Sequence, residues 1–271
     1  MKITHKTRLN MVIGYPLTHS QSPFLHQTIY KELEIDNVLL AQPHRSLKAV
    51  IQTIKTLSIE LTAVTLPYKE QVIQYLDVCS SEVQALKAAN TIIQREGKLY
   101  GYNTDIEGIA FALRKVTIKN KKVLVIGAGG AARAIGYFLK KHHAYIFWLN
   151  RTKEKAVILA NEFGNEVIVQ DDYIKQSFDI VINTTSIGLY PDVHKSPLPY
   201  MTFHNKQVVF DMIYNPMKTT FLKQAEKNRA TVISGLDMFI GQGLKQIELL
   251  TSKMYPLDRI NFLRKLLICN Q

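Results

Sequence analysis

The stretch Lys122-Val123-Leu124-Val125-Ile126-Gly127-Ala128-Gly129-Gly130-Ala131-Ala132 decides the fold of this 271-residue chain. Residues 123–126 form a short apolar run rich in β-branched side chains, which suits a buried strand. Three glycines follow within four residues, and residues 131–139 have the length and apolar spacing of a helix. A G-x-G-x-x-G/A pattern carries meaning only in this strand–turn–helix setting. Gly127 permits the tight turn, and Gly129 has no side chain to hold a pyrophosphate off the backbone. Ala132 is small enough for helix and strand to pack closely. The helix N-terminus adds unpaired N–H groups and a positive dipole end. An ordinary βα turn is the plainer reading of any glycine pattern taken alone.

Residues 145–149 read as the second strand. A unit that binds NAD carries Asp or Glu at the end of this strand, about 20 residues past the glycines, to bond the ribose 2′-hydroxyl. Here that place holds Asn150, Arg151 and Thr152, with Lys153 and Lys155 close behind. Cations without a carboxylate suit a 2′-phosphate, which an arginine grips bidentately while stacking on adenine. NADP is therefore the expected cofactor rather than NAD. A solvated, basic helix start is the competing reading of the same residues.

Composition narrows the remaining classes. A hydrophobic fraction of 46% with 21% charged residues is that of a soluble globular protein, with length for one large domain or two ordinary ones. No apolar run approaches the roughly 18 residues that cross a bilayer, and residues 1–10 are polar and basic with no apolar segment of a secretory signal. The expectation is a cytoplasmic protein with no membrane partner. Cys79 and Cys269 are the only cysteines; they fall in helical-looking stretches and form no Cys-x-x-Cys. No cysteine–histidine cluster has ligand spacing, so no metal is expected. The net charge of +12 is spread through the chain without a run of five cations or an aromatic-interleaved basic strand. We read it as attraction for anionic small molecules rather than nucleic acid. No residue pattern sets the oligomeric state, monomer or homodimer.

The first third alternates strand and helix. Residues 9–13 are an apolar strand, followed by the loop Gly14-Tyr15-Pro16-Leu17-Thr18-His19-Ser20-Gln21-Ser22-Pro23. Ser22 reads as an N-cap with Pro23 at the first helical position, which sets Ser20 and Ser22 beside a helix N-terminus that favours a carboxylate. Capping alone is the plain account of a single serine there, and His19 and His26 read as loop and helix-surface residues. Residues 38–41 and 61–65 read as strands and 46–57 as a helix. Pro67 stops the third strand, and 70–78 continues as a helix. Lys69 thus lies just past the carboxyl end of a strand, where α/β folds bind ligands, in a first helical turn where a cation opposes the dipole. Residues 92–94 and 99–102 read as a hairpin around Glu96-Gly97, and Thr104 or Asp105 as the cap of the helix at 106–113. In the back half, strands are read at 166–169, 179–183, 207–211 and 231–233, and helices at 153–163 and 219–228. Residues 188–199 make a long Pro- and Gly-containing loop, and helical core stripes follow Gly235.

Taken together the loops resemble the shikimate dehydrogenase family, which reduces 3-dehydroshikimate with NADPH. The resemblance is carried by Gly14 to Pro23, Val64-Thr65-x-Pro67-x-Lys69, Ala89-Asn90-Thr91, Gly101-x-Asn103-Thr104-Asp105-x-x-Gly108, Gly127 to Ala134 and Asn150-Arg151-Thr152. Further on it rests on Asn183-Thr184-Thr185 with Gly188, Asp211-x-x-Tyr214-x-Pro216-x-x-Thr219 and Gly235-x-x-Met238-x-x-x-Gln242-Gly243. It implies a two-domain α/β architecture: an N-terminal substrate domain (1–103 with 238–271) and a Rossmann NADP-binding domain (104–237), with a cleft between them. It also implies roles. Ser20 and Ser22 would bind the substrate carboxylate. Thr65, Lys69, Asn90, Asp105 and Gln242 would hold ring hydroxyls, with Tyr214 nearby. Lys69 and Asp105 would be the catalytic pair. Gly127, Ala128, Gly129, Gly130 and Ala131 would take the pyrophosphate, and Asn150, Arg151, Thr152 and Lys155 the 2′-phosphate. Asn183, Thr184, Thr185, Gly235 and Met238 would border the cofactor. One position departs: the family usually has Asn before the Val-Thr pair, touching substrate, and here it is Ala63. That keeps quinate or another cyclitol open as substrate. A non-catalytic NADP-binding regulatory module is the other alternative, against which the intact Lys69 and Asp105 speak.

Overall fold

Strands and helices alternate along the chain and build two sheets, in a computed structural model that describes residues 3–17, 20–164 and 166–270 apart from the side chains of 170 and 171. His19 lies outside the described residues. The chain divides into two compact units, Met1–Glu107 with Ile240–Gln271, and Gly108–Phe239.

In the first unit, β1 (Arg8–Gly14) leads through α1 (Ser22–Glu32) to β2 (Asn37–Pro43), and α2 (Leu47–Thr56) leads to β3 (Leu61–Val64). A 3-10 turn over Gln71–Tyr75 precedes β4 (Val78–Cys79) and α3 (Ser81–Leu86). Then come the hairpin strands β5 (Thr91–Arg95) and β6 (Lys98–Tyr102), joined by Glu96 and Gly97, both at positive φ, and the start of α4 (Asp105–Leu113). The sheet order is β2-β1-β3-β5-β6-β4. β1 is parallel to β2 and β3, whereas β5 runs antiparallel to both β3 and β6. That reversal matters for the chemistry. The loop leaving β3, the loop entering β5 and the loop leaving β6 all emerge at one rim of the sheet. Backbone bonds tie them there: Val64 N donates to Asn90 O (2.7 Å), Asn90 N to Tyr102 O (3.1 Å) and Ala89 N to Lys69 O (2.8 Å). Ile13, Ile54, Leu61, Val72, Ile92 and Leu99 are buried beneath this sheet or within it.

The second unit holds β7 (Lys122–Ile126), α5 (Gly130–Lys141), β8 (Tyr145–Leu149), α6 (Lys153–Phe163), β9 (Glu166–Val167) and β10 (Ile180–Asn183). β11 (Val208–Asp211), α7 (Thr220–Lys227) and β12 (Thr231–Ser234) follow. All strands are parallel, in the order β9-β8-β7-β10-β11-β12. This is the doubly wound Rossmann order, with its switch point between β7 and β10, where such sheets bind ligands at their carboxyl ends. The central strands are apolar on both faces because helices cover both: Leu124, Val125, Val181, Ile182, Val209 and Phe210 are all fully buried. Helix α8 (Gly235–Thr251) then carries the chain from the second unit back into the first. There α9 (Ile260–Cys269) packs on α1, and Glu32 accepts from Tyr255 Oη and Arg259 Nη2, both at 2.6 Å.

Four local expectations change. Ser22 is not the N-cap: Gln21 holds that place without a side-chain cap bond, and α1 begins at Ser22 with Pro23 in its first turn. The helix expected over 70–78 shrinks to a 3-10 turn, because its β-branched Val72 and Ile73 favour helix weakly and Leu76 is already extended. Cys79 sits in β4, an edge strand paired with β6, rather than in a helix. His26, expected on the surface of its helix, is fully buried, and at the start of α4 Asp105 N donates to Asn103 Oδ1 at 3.2 Å.

Candidate active site

At the shared rim of the first sheet, Lys69 Nζ donates to Asp105 Oδ2 at 2.6 Å. The two side chains keep 28% and 14% of their surface open to solvent, so the pair is sheltered yet reachable. Asp105 is held from its other side: Asn90 Nδ2 donates to Oδ1 at 2.9 Å. Asn90 is itself fixed, its Oδ1 accepting from Thr104 N at 2.7 Å and from Thr91 Oγ1 at 2.9 Å. A backbone N–H can only donate, so this contact sets the amide with its NH₂ towards Asp105. Asn103 closes the arrangement by donating from Nδ2 to Ala88 O at 2.8 Å. The Lys69 amine therefore rests on an oriented carboxylate, a geometry suited to a proton-transfer group beside its positioning group.

Ser20 and Ser22 stand at the entry to α1, and both are half-buried. Ser22 N donates to Ser20 Oγ at 3.4 Å. Since Ser22 caps nothing, its hydroxyl is available to a ligand at the dipole's positive end. Thr65 lies on the same rim as Lys69, its N–H bound to Ile13 O at 2.9 Å. Gln242 is on α8, half-buried, in the part of that helix that belongs to the first unit. Ala63 is buried in β3, opposite Thr91 in the register.

In the second unit the glycine turn follows β7 directly. Gly127 has φ +111°, and a Cβ there would collide with Thr184 Oγ1. Thr184 N and Oγ1 donate to Ile126 O at 2.9 and 2.7 Å, which locks β7 and β10 together at the switch point. Gly129 and Gly130 are different: a Cβ on either would meet nothing within 4 Å. They face open space at the start of α5, whose N-cap Gly129 makes no side-chain cap bond, leaving the first-turn N–H groups to a ligand. A phosphate-bearing dinucleotide fits this bare backbone. Ala128 and Ala131 complete the turn, and Ala132 is fully buried against the sheet.

Beyond β8, Arg151 and Thr152 are exposed, and Asn150 Nδ2 donates to Thr152 O at 2.8 Å. Arg151 lines a groove with Ser186, Ile187, Asp192, His194, Lys195, Ser196 and Pro199. Lys155 is exposed on α6 one turn on and does not line that groove. Thr185 is held by Asn183, whose Oδ1 accepts from Thr185 N (3.0 Å) and Oγ1 (2.7 Å). Asn183 Nδ2 in turn donates to Asp211 Oδ1 at 3.1 Å, and Thr219 Oγ1 donates to Asp211 Oδ2 at 2.6 Å. Burial pushes the Asp211 carboxyl up to about 6, against the pull of Thr219, the Ile213 N–H and Asn183. In sequence Asp211 stands only as the first residue of the Asp211-x-x-Tyr214-x-Pro216 motif, an acid closing an apolar strand, with no role given to its carboxyl. Tyr214 stacks on Phe239 at 4.7 Å between ring centroids, and burial raises its phenol. Gly235 and Met238, both buried, start α8.

Among the described residues there is no group of three or more histidine, cysteine or acidic side chains that could hold a metal ion, and no helix long and apolar enough to cross a membrane. Comparison with known proteins points to one family. Residues 12–92 match the family model described as shikimate dehydrogenase substrate binding domain, and 110–213 the model described as shikimate / quinate 5-dehydrogenase. The shikimate dehydrogenase (NADP(+)) of Shouchella clausii is 38% identical over 253 residues, 89% of this chain and 92% of that protein. The crystal structure of shikimate dehydrogenase from Aquifex aeolicus superposes with a TM-score of 0.90 at 34% identity, covering 97% and 99% of the two chains. That of shikimate 5-dehydrogenase from Thermus thermophilus, in complex with NADP(H) and shikimate, gives 0.87 at 30% identity over 95% and 98%. Two matched models in chain order, relatives over nearly the full length and a rim that brings Lys69 to Asp105 leave one conclusion: the chain belongs to the shikimate dehydrogenase family.

Proposed function

We propose that this chain catalyses the reversible NADPH-dependent reduction of 3-dehydroshikimate to shikimate, within chorismate and aromatic amino-acid biosynthesis. The observation that carries the reading is the Lys69–Asp105 pair, 2.6 Å apart and partly open to solvent. Bound NADPH supplies the hydride from its dihydronicotinamide ring. In reduction the charged Lys69 amine donates to the ketone oxygen, favours the negative charge that grows there and passes its proton to it. Asp105 aims the amine, and Asn90 aims Asp105. In oxidation the neutral amine takes the proton back. Ser20 and Ser22 bind the substrate carboxylate, and Thr65, Lys69, Asn90, Asp105 and Gln242 hold ring hydroxyls, with Tyr214 nearby.

On the cofactor side, residues 127–131 take the pyrophosphate. Asn150, Arg151, Thr152 and Lys155 take the 2′-phosphate, and Asn183, Thr184, Thr185, Gly235 and Met238 border the cofactor. Bare glycine backbone facing open space supports the first of these assignments, and Asn150-Arg151-Thr152 in place of an acid at the end of β8 supports the second. Both cysteines are free thiols, which fits a reducing, cytoplasmic setting. The test is NADPH absorbance in an assay of shikimate and quinate with NADP⁺ and NAD⁺. Rapid NADP⁺ reduction by shikimate is expected. Faster turnover of quinate would move the assignment to a cyclitol dehydrogenase, and no turnover of either would end it.

A further inference from the structure

Asn90 does not orient Asp105 unaided. Behind it runs a buried line of polar side chains that leaves the site and crosses the first unit. Thr91 Oγ1 donates to Asn90 Oδ1 at 2.9 Å, and Gln246 Nε2 donates to Thr91 Oγ1 at 2.9 Å across 155 residues of sequence. The Gln246 carboxamide faces His26 of α1, whose Nδ1 lies 2.9 Å from Ser22 O. Thr91, Gln246 and His26 are all at least 99% buried. Gly243 sits where the two helices approach: a Cβ there would lie 2.6 Å from Leu25 Cδ2, so a larger residue would have to push that side chain aside. Polar groups are not spent in a core without reason, because each costs free energy unless it is satisfied.

The accounting at the far end is informative. A carbonyl only accepts, so His26 Nδ1 carries the proton it shares with Ser22 O. Burial holds His26 down to about 4, so the ring is neutral and Nε2 presents a lone pair. Neither His26 Nε2 nor Gln246 Oε1 has a partner. Two acceptors facing each other cannot bond. Turning the Gln246 carboxamide over would satisfy both, with NH₂ on His26 Nε2 and Oε1 on Thr91. The Thr91 proton would then leave Asn90 for Gln246. The orientation of the Gln246 carboxamide thus decides how many donors hold the Asn90 carbonyl.

We propose that Thr91 and Gln246 are positioning residues of the reaction, coupling His26 and the α1 entry that bears Ser22 to the Asn90–Asp105–Lys69 line. This rests on the reading of Lys69 and Asp105 as the acid–base pair. The test compares Thr91→Val, which keeps shape and loses the hydroxyl, with Thr91→Ser, which keeps the hydroxyl, and Gln246→Met, alongside Lys69→Ala. Thr91→Val and Gln246→Met should lower kcat about 10-fold with KM for NADP⁺ unchanged, and Thr91→Ser should recover most of the loss. Thermal unfolding of each variant reads the structural cost separately. Wild-type kcat in Thr91→Val and Gln246→Met, beside a crippled Lys69→Ala, would overturn the proposal and leave the pair standing. Equal losses in Thr91→Val and Thr91→Ser that follow their loss of melting temperature would also overturn it. Near-normal kcat in Lys69→Ala would remove the underlying pair, and the coupling with it.

Discussion

Lys69 Nζ and Asp105 Oδ2 stand 2.6 Å apart although 36 residues separate them, because the antiparallel β5 brings the exits of β3 and β6 to one rim. Acid–base help of this kind is worth about 10²–10⁴ in rate. Lys69→Ala should lower kcat by that order and change KM for shikimate far less, as steady-state kinetics will read. Asp105→Asn should lower kcat as well, since it leaves the amine unaimed.

In the proposed assignment Arg151 binds the 2′-phosphate and so sets the cofactor preference. Replacing a charge-assisted contact with an alanine methyl costs about 1.5–3 kcal/mol, so Arg151→Ala should raise KM for NADP⁺ by about 10- to 150-fold. KM for NAD⁺, which lacks the 2′-phosphate, should hardly move. A parallel rise for both cofactors would detach Arg151 from that phosphate.

Two glycines of one turn should fail differently. Gly127→Ala forces a methyl onto Thr184 at a positive φ and should cost stability, on the order of 1–3 kcal/mol, seen as a lower melting temperature. Gly129→Ala adds a methyl that touches nothing in the protein, so its melting temperature should match that of the parent. Its NADP⁺ affinity, measured by titration calorimetry, should nevertheless fall.

Asp211 makes stability depend on pH. Its folded carboxyl titrates near 6, above the ordinary value of 3.8, because burial disfavours the charge. Between those values the folded chain binds the extra proton, so this group's contribution falls as pH rises and the penalty is complete above about 6. Asp211→Asn should flatten that part of the denaturation profile between pH 4 and 6. It should also destabilise at neutral pH, since an amide NH₂ must face Thr219 or Asn183, both donors to the present carboxylate.

Ala63 is the place to look for substrate preference. Ala63→Asn restores the side chain that the family usually carries there. One neutral hydrogen bond contributes roughly 0.5–1.5 kcal/mol, so KM for shikimate should drop about 2- to 12-fold. Unchanged discrimination between shikimate and quinate would show that Ala63 faces no ring hydroxyl.

Local rules reached most of the fold. The strand–turn–helix at 122–139 is readable because a buried parallel strand is a short apolar run and the turn needs glycine. Where tertiary context outweighed propensity, reading failed. Val78 and Cys79 become a strand only because β6 offers an edge, which no two-residue pattern announces. Gln21 rather than Ser22 caps α1, a difference of one residue that decides whether a hydroxyl is free. Lys69 stands out in sequence as a cation just past a strand end, but only the resemblance pairs it with Asp105, which by itself reads as a helix cap. Gln246 reads in sequence as one more polar helix position; its partner Thr91 lies 155 residues away, beyond any local window. His26 read as a surface residue and is fully buried, because α8 covers it.

The hairpin of β5 and β6 has one further consequence. Its turn, Glu96 and Gly97, emerges at the end of the sheet opposite Asn90 and Asn103, about 17 Å away along five residues. A dye, peptide tag or surface-attachment cysteine grafted there would sit clear of the reacting rim. The enzyme could then be tethered or labelled at that spot with its turnover intact.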